Sequence, residues 1–470
     1  MNKQLGLLFS LAVVACSGGG ATPDAPLAGD AQIRPADAGP DATPITGNIL
    51  EDLRAIPGME VTERTTSISN YRFFSLVYQQ PVDHHDPAGP TFGQRIMLMH
   101  RTYQSPTVLV TNGYHVLAAD GRYEPTQLVS GNQVSVEHRF FEPSRPDPTD
   151  WTKLDIWQAA SDHHRIVQAF RRLYPGRWLN TGASKSGMAA IYHRRFYPDD
   201  VDGTVAYVAP LSFAAGDERY VTFVDNAGPS AACRQDLRDF QRLVLEHRTS
   251  MLESMSTTGA TFETLGADKA LEHATLELPF ALWQYSSAAA CSRIPASNAT
   301  NSAIFSFLDD ISDVAAYGDA EIERFGPYYY QAAHQLGYPQ IDEEPVSDLL
   351  LHPGTDDAEE YLPEGTSVTY DPAVMRDIDT WVKTSGKRLL FIYGEYDPWT
   401  AGAFELGNAT QSLKLIVPAG NHSASISRLT DADKTRATNL INSWLGISLA
   451  PGKPVTFDDP TLVEPRRRGL

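Results

Sequence analysis

Three residues far apart in the chain have the types and surroundings that nucleophilic catalysis needs. Ser184 lies in Thr181-Gly182-Ala183-Ser184-Lys185-Ser186-Gly187-Met188, where a strand-like run, 177–181, meets a helix-like one, 188–196. A serine at a sharp strand-to-helix turn exposes its hydroxyl, and small neighbours are needed because the turn is strained. The string departs from G-x-S-x-G, with Ser186 at the second glycine position and Gly187 after it. A hydroxyl becomes a nucleophile only when a base takes its proton and a carboxylate orients that base. Asp397 follows the apolar run Phe391-Ile392-Tyr393, and His422 comes 25 residues later, beyond the run 413–417. Serine, acid and histidine therefore occur in one chain order, each just past a strand-like run. Glu395 competes for the acid role, but a carboxylate two places further on clears the strand end, which favours Asp397. The oxyanion of acyl transfer needs two preorganised donors. The backbone N–H of Lys185 is one candidate, and the turn Thr111-Asn112-Gly113-Tyr114 offers the second, from Gly113 or Tyr114.

These residues need a scaffold that brings strand ends together. Apolar runs at 95–100, 107–111, 133–138, 177–181, 205–209, 387–393 and 413–417 read as strands. The segment 150–173 has helical spacing, with Leu154, Ile156, Trp157, Ile166, Val167, Phe170 and Leu173 as its buried stripe, and 431–444 is the last helix. Strands alternating with helices predict an α/β fold, a mostly parallel sheet with helices on both faces. The interval 211–386 breaks the alternation, with helix-like segments at 236–255, 267–285, 303–316 and 321–336. It reads as a large helical insertion between two parts of the core, 48–210 and 387–450, followed by a tail, 451–470. Its aromatics, Phe280, Trp283, Tyr285, Phe305, Phe307, Tyr328, Tyr329 and Tyr330, either line a pocket or pack the insertion's own core.

The chain has 470 residues, 38 basic and 58 acidic, for a net charge of −20. Such acidity argues against nucleic-acid binding, which needs clustered Lys and Arg. A hydrophobic fraction of 42% fits a globular protein and neither a disordered nor an integral-membrane one. Three cysteines exclude a Cys-rich zinc module. Met1-Asn2-Lys3-Gln4 and the apolar run 5–15 read as a cleaved signal, 1–15, too short to span a bilayer. Val13-Val14-Ala15-Cys16 resembles the bacterial lipobox, in which the cysteine is acylated; the alternative is ordinary cleavage and free secretion. The segment 16–47, rich in Gly, Ala, Pro and Asp, then serves as a flexible tether. The expectation is an exported protein that meets a membrane only through its lipid. Cys233 and Cys291 remain as a pair, expected to form a disulfide in an oxidising compartment, with two buried thiols as the alternative.

Several longer strings carry a family resemblance. They are Gln80-Pro81-Val82-Asp83-His84, Phe92-Gly93-Gln94-Arg95, Glu137-His138-Arg139-Phe140-Phe141-Glu142-Pro143-Ser144-Arg145-Pro146 and the serine motif. With them go Asp200-Val201-Asp202-Gly203-Thr204-Val205-Ala206-Tyr207-Val208-Ala209-Pro210, the Gly394 to Trp399 string and Gly420-Asn421-His422. Together they resemble the secreted prolyl tri/tetrapeptidyl aminopeptidase family of serine peptidases, over roughly residues 50–450, and more distantly the prolyl carboxypeptidase and dipeptidyl peptidase II group. The resemblance implies an α/β-hydrolase core with a helical lid, no cofactor, and release of short peptides from free N-termini, often after proline. It assigns Ser184 as nucleophile, His422 as base and Asp397 as its orienter. Ser186 departs from it, because the family usually has glycine there.

A free substrate ammonium calls for a carboxylate, with Asp217, Glu218, Asp309 and Asp310 as candidates. Beside the acid loop, Glu395 is another candidate contact, and Trp399 either packs on a proline ring or braces the loop. Asp83-His84-His85-Asp86 is not read as a metal site, since four successive residues of an extended segment do not converge on one ion. That string and Glu137-His138-Arg139 are expected to be structural, the latter as a hydrogen-bonded network near the sheet edge. Two other functions fit the same chemistry or motif: a carboxylesterase or lipase, because fold does not set substrate, and a catalytically inactive surface-binding lipoprotein.

Overall fold

Nine strands form one sheet in the computed structural model, which describes residues 45–447. The expectations for the signal 1–15, Cys16, the tether up to residue 44 and the tail 451–470 lie outside the described residues. The strands are β1 (Met59–Arg64), β2 (Arg72–Pro81), β3 (Thr91–His100), β4 (Thr107–Thr111), β5 (Asn132–Val136), β6 (Trp178–Ala183), β7 (Gly203–Tyr207), β8 (Leu389–Gly394) and β9 (Leu413–Val417). Their order is β1-β2-β3-β5-β4-β6-β7-β8-β9. β1, β2 and β3 pair antiparallel, β3 pairs antiparallel with β5, and from β5 to β9 every pairing is parallel. This is the topology of an α/β-hydrolase fold.

The helices, in chain order, are α1 (Ile49–Arg54), α2 (Glu124–Val129), α3 (Ile156–Arg171), α4 (Lys185–Phe196), α5 (Arg219–Val224), α6 (Ala231–Glu246) and α7 (Arg248–Met255). They continue as α8 (Ala267–Leu276), α9 (Leu278–Tyr285), α10 (Asn301–Ser312), α11 (Asp319–Gln331), α12 (Pro372–Ser385) and α13 (Asp431–Leu445). Successive strand residues point to opposite faces, and the parallel strands are buried on both. Val108, Val110, Leu390 and Ile392 pack with Trp444 and Ile441 of α13. On the other face Leu109 packs with Ile166 and Phe170 of α3, and Phe391 and Tyr393 pack with Met188 and Ile191 of α4. Those runs are apolar at every position because each residue has a helix over it.

Between β7 and β8 the chain is helical, and α6 to α11 share a separate apolar cluster around Phe240, Leu271, Trp283 and Phe307. Cys233 of α6 and Cys291 are joined by a disulfide within it, closing a separation of 58 residues. Helix α12, inside the 211–386 interval, packs instead with α4 and Phe391 through Val374, Met375 and Ile378. Among the described residues no helix is long and apolar enough to cross a membrane.

Candidate active site

Parallel pairing aligns the carboxyl ends of β4, β6, β8 and β9 along one edge of the sheet, and the chemistry-bearing residues follow those ends. Ser184 ends β6 and caps α4 at φ 55, ψ −131, a strained conformation for a residue with a side chain. Its N–H donates to the Tyr207 carbonyl at 2.9 Å, which ties the turn to β7. The turn closes only because Gly182 lacks a side chain, since a Cβ there would lie 2.3 Å from the Ser186 backbone. Asp397 follows β8 and His422 follows β9. The imidazole Nδ1 lies 2.7 Å from Asp397 Oδ2, and the aspartate is fully buried. The His422 N–H donates to the Gln284 carbonyl at 3.0 Å, so α9 of the insertion helps to set the histidine loop.

Ser184 opens into a cavity of about 190 Å³ between the sheet edge and the helical insertion. Its walls include Tyr114, Phe280, Tyr285, Tyr328, Tyr329 and Trp399. Of the insertion's other aromatics, Trp283 and Phe307 are core residues and Tyr330 packs on Trp151, 5.4 Å between ring centroids. Trp399 stands between Phe280, at 5.2 Å, and His422, at 6.2 Å, so it borders the cavity and buttresses the loop at once.

The acidic candidates sort by geometry. Asp217 is buried and pairs with Arg219 at 2.7 Å, and its carboxylate also accepts the Phe213 N–H, so its charge is already answered away from the cavity. Glu218 is exposed, and Glu395 is exposed with Oε2 accepting the Ala419 N–H at 2.6 Å. None of these three borders the cavity, and neither does Asp309. Asp310 does, but it pairs with Arg293 at 3.0 Å. Sequence reading missed two acids that border the cavity, Asp313 and Glu277; Glu277, at the junction of α8 and α9, accepts from the Tyr317 hydroxyl at 2.9 Å. Asp356 is buried near Glu277, and burial, with that neighbouring carboxylate, pushes its pKa well above the usual range.

The oxyanion candidates are also separated by the structure. β4 pairs with β6, Val110 opposite Thr181, so the turn after β4 lies against the serine turn. Gly113 N–H donates to Ser186 Oγ at 2.8 Å, which engages it away from any substrate. The remaining candidates are the N–H groups of Tyr114 and Lys185, residues that border the cavity beside Ser184. Lys185 itself is buried, and desolvation pushes its ammonium well below the usual lysine range.

The other motifs are occupied structurally. His84 Nε2 lies 2.7 Å from Asp162 Oδ1, Asp83 pairs with Lys153 at 2.8 Å, and His85 stacks on Trp157. Asp162 also receives two hydrogen bonds of 2.7 Å from the buried Arg139, a fork that fixes α3 against the segment after β5. Glu137 accepts from Arg95, from Ser144 Oγ and from the Val116 N–H. Among the described residues no group of three or more His, Cys, Asp or Glu is arranged to hold a metal.

Comparison with known proteins gives a consistent picture. The sequence profile of the PS-10 peptidase S37 family matches residues 42–464. The prolyl tri/tetrapeptidyl aminopeptidase of Streptomyces mobaraensis is 42% identical over 410 residues, 85% of this chain and 86% of that protein. Among solved structures, the carboxyl esterase 2 of Tuber melanosporum matches with a TM-score of 0.36 and 8% identity, covering 82% of this chain and 89% of that one. The 2-hydroxy-6-oxo-6-phenylhexa-2,4-dienoate hydrolase of Rhodococcus sp. strain RHA1 matches with a TM-score of 0.33 and 9% identity, over 82% and 99% of the two chains.

Proposed function

From the premise that the chain belongs to the PS-10 peptidase S37 family and is a serine aminopeptidase, we propose that it releases tri- and tetrapeptides from free N-termini, preferring proline before the scissile bond. The observation that carries the reading is the cavity that holds both Ser184 and Glu277. Ser184 attacks the scissile carbonyl, His422 takes its proton and returns it to the leaving amine, and Asp397 holds the imidazole in the tautomer that makes this possible. Water activated by His422 then hydrolyses the acyl-enzyme. The N–H groups of Lys185 and Tyr114 receive the oxyanion.

Glu277 receives the substrate's ammonium. A half-buried carboxylate on the wall of a largely aromatic cavity favours a cation over a neutral group. Since an extended residue spans about 3.3 Å, a wall that holds the amine at a set distance from the serine limits the length released. The aromatic walls, Trp399 and Phe280 foremost, suit the flat apolar face of a proline ring. We further propose that the protein is exported and acylated on Cys16, with the membrane reached only through that lipid.

The test is hydrolysis of Ala-Ala-Pro chromogenic amide against its N-acetylated form and a p-nitrophenyl ester. The free amide is expected to turn over and the acetylated one to lose at least about 10-fold in kcat/KM, the worth of one charged contact. Ester turnover without amide turnover would overturn the peptide reading.

A further inference from the structure

Ser186 stands where the family resemblance expects glycine, and its hydroxyl has a specific task in the fold. Ser186 Oγ accepts the Gly113 N–H at 2.8 Å, across 73 residues of sequence. Beside it, Lys185 Nζ donates to the Gly113 carbonyl at 2.5 Å. The two contacts hold the turn from both sides of Gly113, one at its N–H and one at its C=O. Thr111 Oγ1 adds a hydrogen bond to the Ser186 carbonyl at 3.0 Å, so the strand that carries the turn is tied to the same helical turn of α4. The Tyr114 carbonyl accepts from the His138 N–H at 3.0 Å. Gly113 fits because it has no side chain, as a Cβ there would come within 2.7 Å of Lys185.

In a trans peptide the C=O and N–H of one unit point in opposite directions. The Gly113 carbonyl and the Tyr114 N–H belong to one such unit. Drawing the carbonyl toward the buried Lys185 amine therefore turns the Tyr114 N–H the other way, and the Ser186 contact prevents the plane from rotating about Gly113. An oxyanion donor is worth most when its direction is set before the charge develops.

We propose that Ser186 is a positioning residue whose hydroxyl, with the Lys185 side chain, locks the Gly113–Tyr114 peptide so that the Tyr114 N–H serves as the second oxyanion donor. The role rests on the reading of Ser184 as nucleophile. It predicts a defect confined to states that carry an oxyanion.

The experiment compares wild type with Ser186→Ala, Ser186→Gly and Ser186→Thr, using p-nitrophenyl butyrate turnover and inhibition by phenylboronic acid, whose adduct with the serine places a negative oxygen in the same hole. Melting temperatures are measured in parallel. The Ala and Gly variants are expected to lose about 10-fold in kcat with KM nearly unchanged, and to bind the boronic acid weaker by a similar factor, below the loss of a whole donor. Ser186→Thr keeps the hydroxyl and is expected to restore both. Unchanged kcat and inhibition in the Ala and Gly variants, or equal losses in all three, would overturn the role. Neither probe requires a peptide, so these results stand apart from the aminopeptidase assay. Absence of wild-type turnover and of boronic acid binding would overturn the assignment of Ser184 and this role together.

Discussion

Glu277 ends α8 in the string Leu276-Glu277-Leu278-Pro279, and one carboxylate in an apolar run carries no motif. Its importance comes from company: Tyr317 donates to it, Asp356, whose pKa burial raises, lies near it, and it borders the cavity that contains Ser184. His273, near Asp356, does not offset its charge, because burial pushes that imidazole down to about 3 and keeps it neutral. Replacing Glu277 by Gln is expected to raise KM for Ala-Ala-Pro amides by about 10- to 100-fold, the worth of a hydrogen bond to a charged group, and to narrow the preference for free over acetylated N-termini. Unchanged discrimination would remove Glu277 from the amine site. Ser184, Asp397 and His422 stand out in the sequence because each combines a chemical type with a strand end and a fixed chain order. The engagement of the Gly113 N–H was not legible, since it depends on where the Ser186 side chain points in the fold.

Helix α2 shows how an element far from the chemistry holds it in place. Its first residue, Glu124, is fully buried and accepts from the Tyr207 hydroxyl of β7 and from the N–H groups of Ile426 and Ser427, four and five residues beyond His422. Burial raises its pKa from an ordinary 4.5 to about 7. The folded protein therefore prefers the neutral acid. Relative to a residue that does not titrate, this contribution is fully present below pH 4.5 and is lost as pH rises through about 7. The loss amounts to about 3 kcal/mol, and Glu124→Gln is expected to abolish it. Denaturant unfolding of both proteins from pH 4 to 8 should show wild type falling against the variant across that window, and parallel profiles would contradict it. At this scale the parallel strands were readable from apolar runs. The long helical segments of the insertion were not fully so: 267–285 breaks at Glu277 because Pro279 takes an early position of α9, and 236–255 breaks at His247. The antiparallel strands β1 and β2 escaped the sequence reading altogether. β1 is an edge strand that exposes Glu60, Thr62, Glu63 and Arg64, so it has no apolar run to announce it.

The insertion is held by its own apolar cluster and by the Cys233–Cys291 disulfide. Closing a separation of 58 residues removes about 4 kcal/mol of chain entropy from the unfolded state. Reduction, or the double change Cys233→Ser with Cys291→Ser, is expected to lower stability by about that amount; an unchanged denaturation midpoint would refute it. Such a bond suits the oxidising compartment that an exported protein would occupy. The chain's net charge of −20 suits substrates that arrive as ammonium ions, by long-range attraction. The sequence by itself determined the types and order of the reacting groups and the alternation of strands and helices, because both are local properties: a residue's chemistry, and the period of apolar positions. Only the tertiary structure decided which acids border the cavity with the serine and which backbone N–H Ser186 engages. Glu277 and Asp356, or Gly113 and Ser186, meet across 70 residues or more, and the direction of a side chain at such a meeting is set by packing and by competing hydrogen bonds.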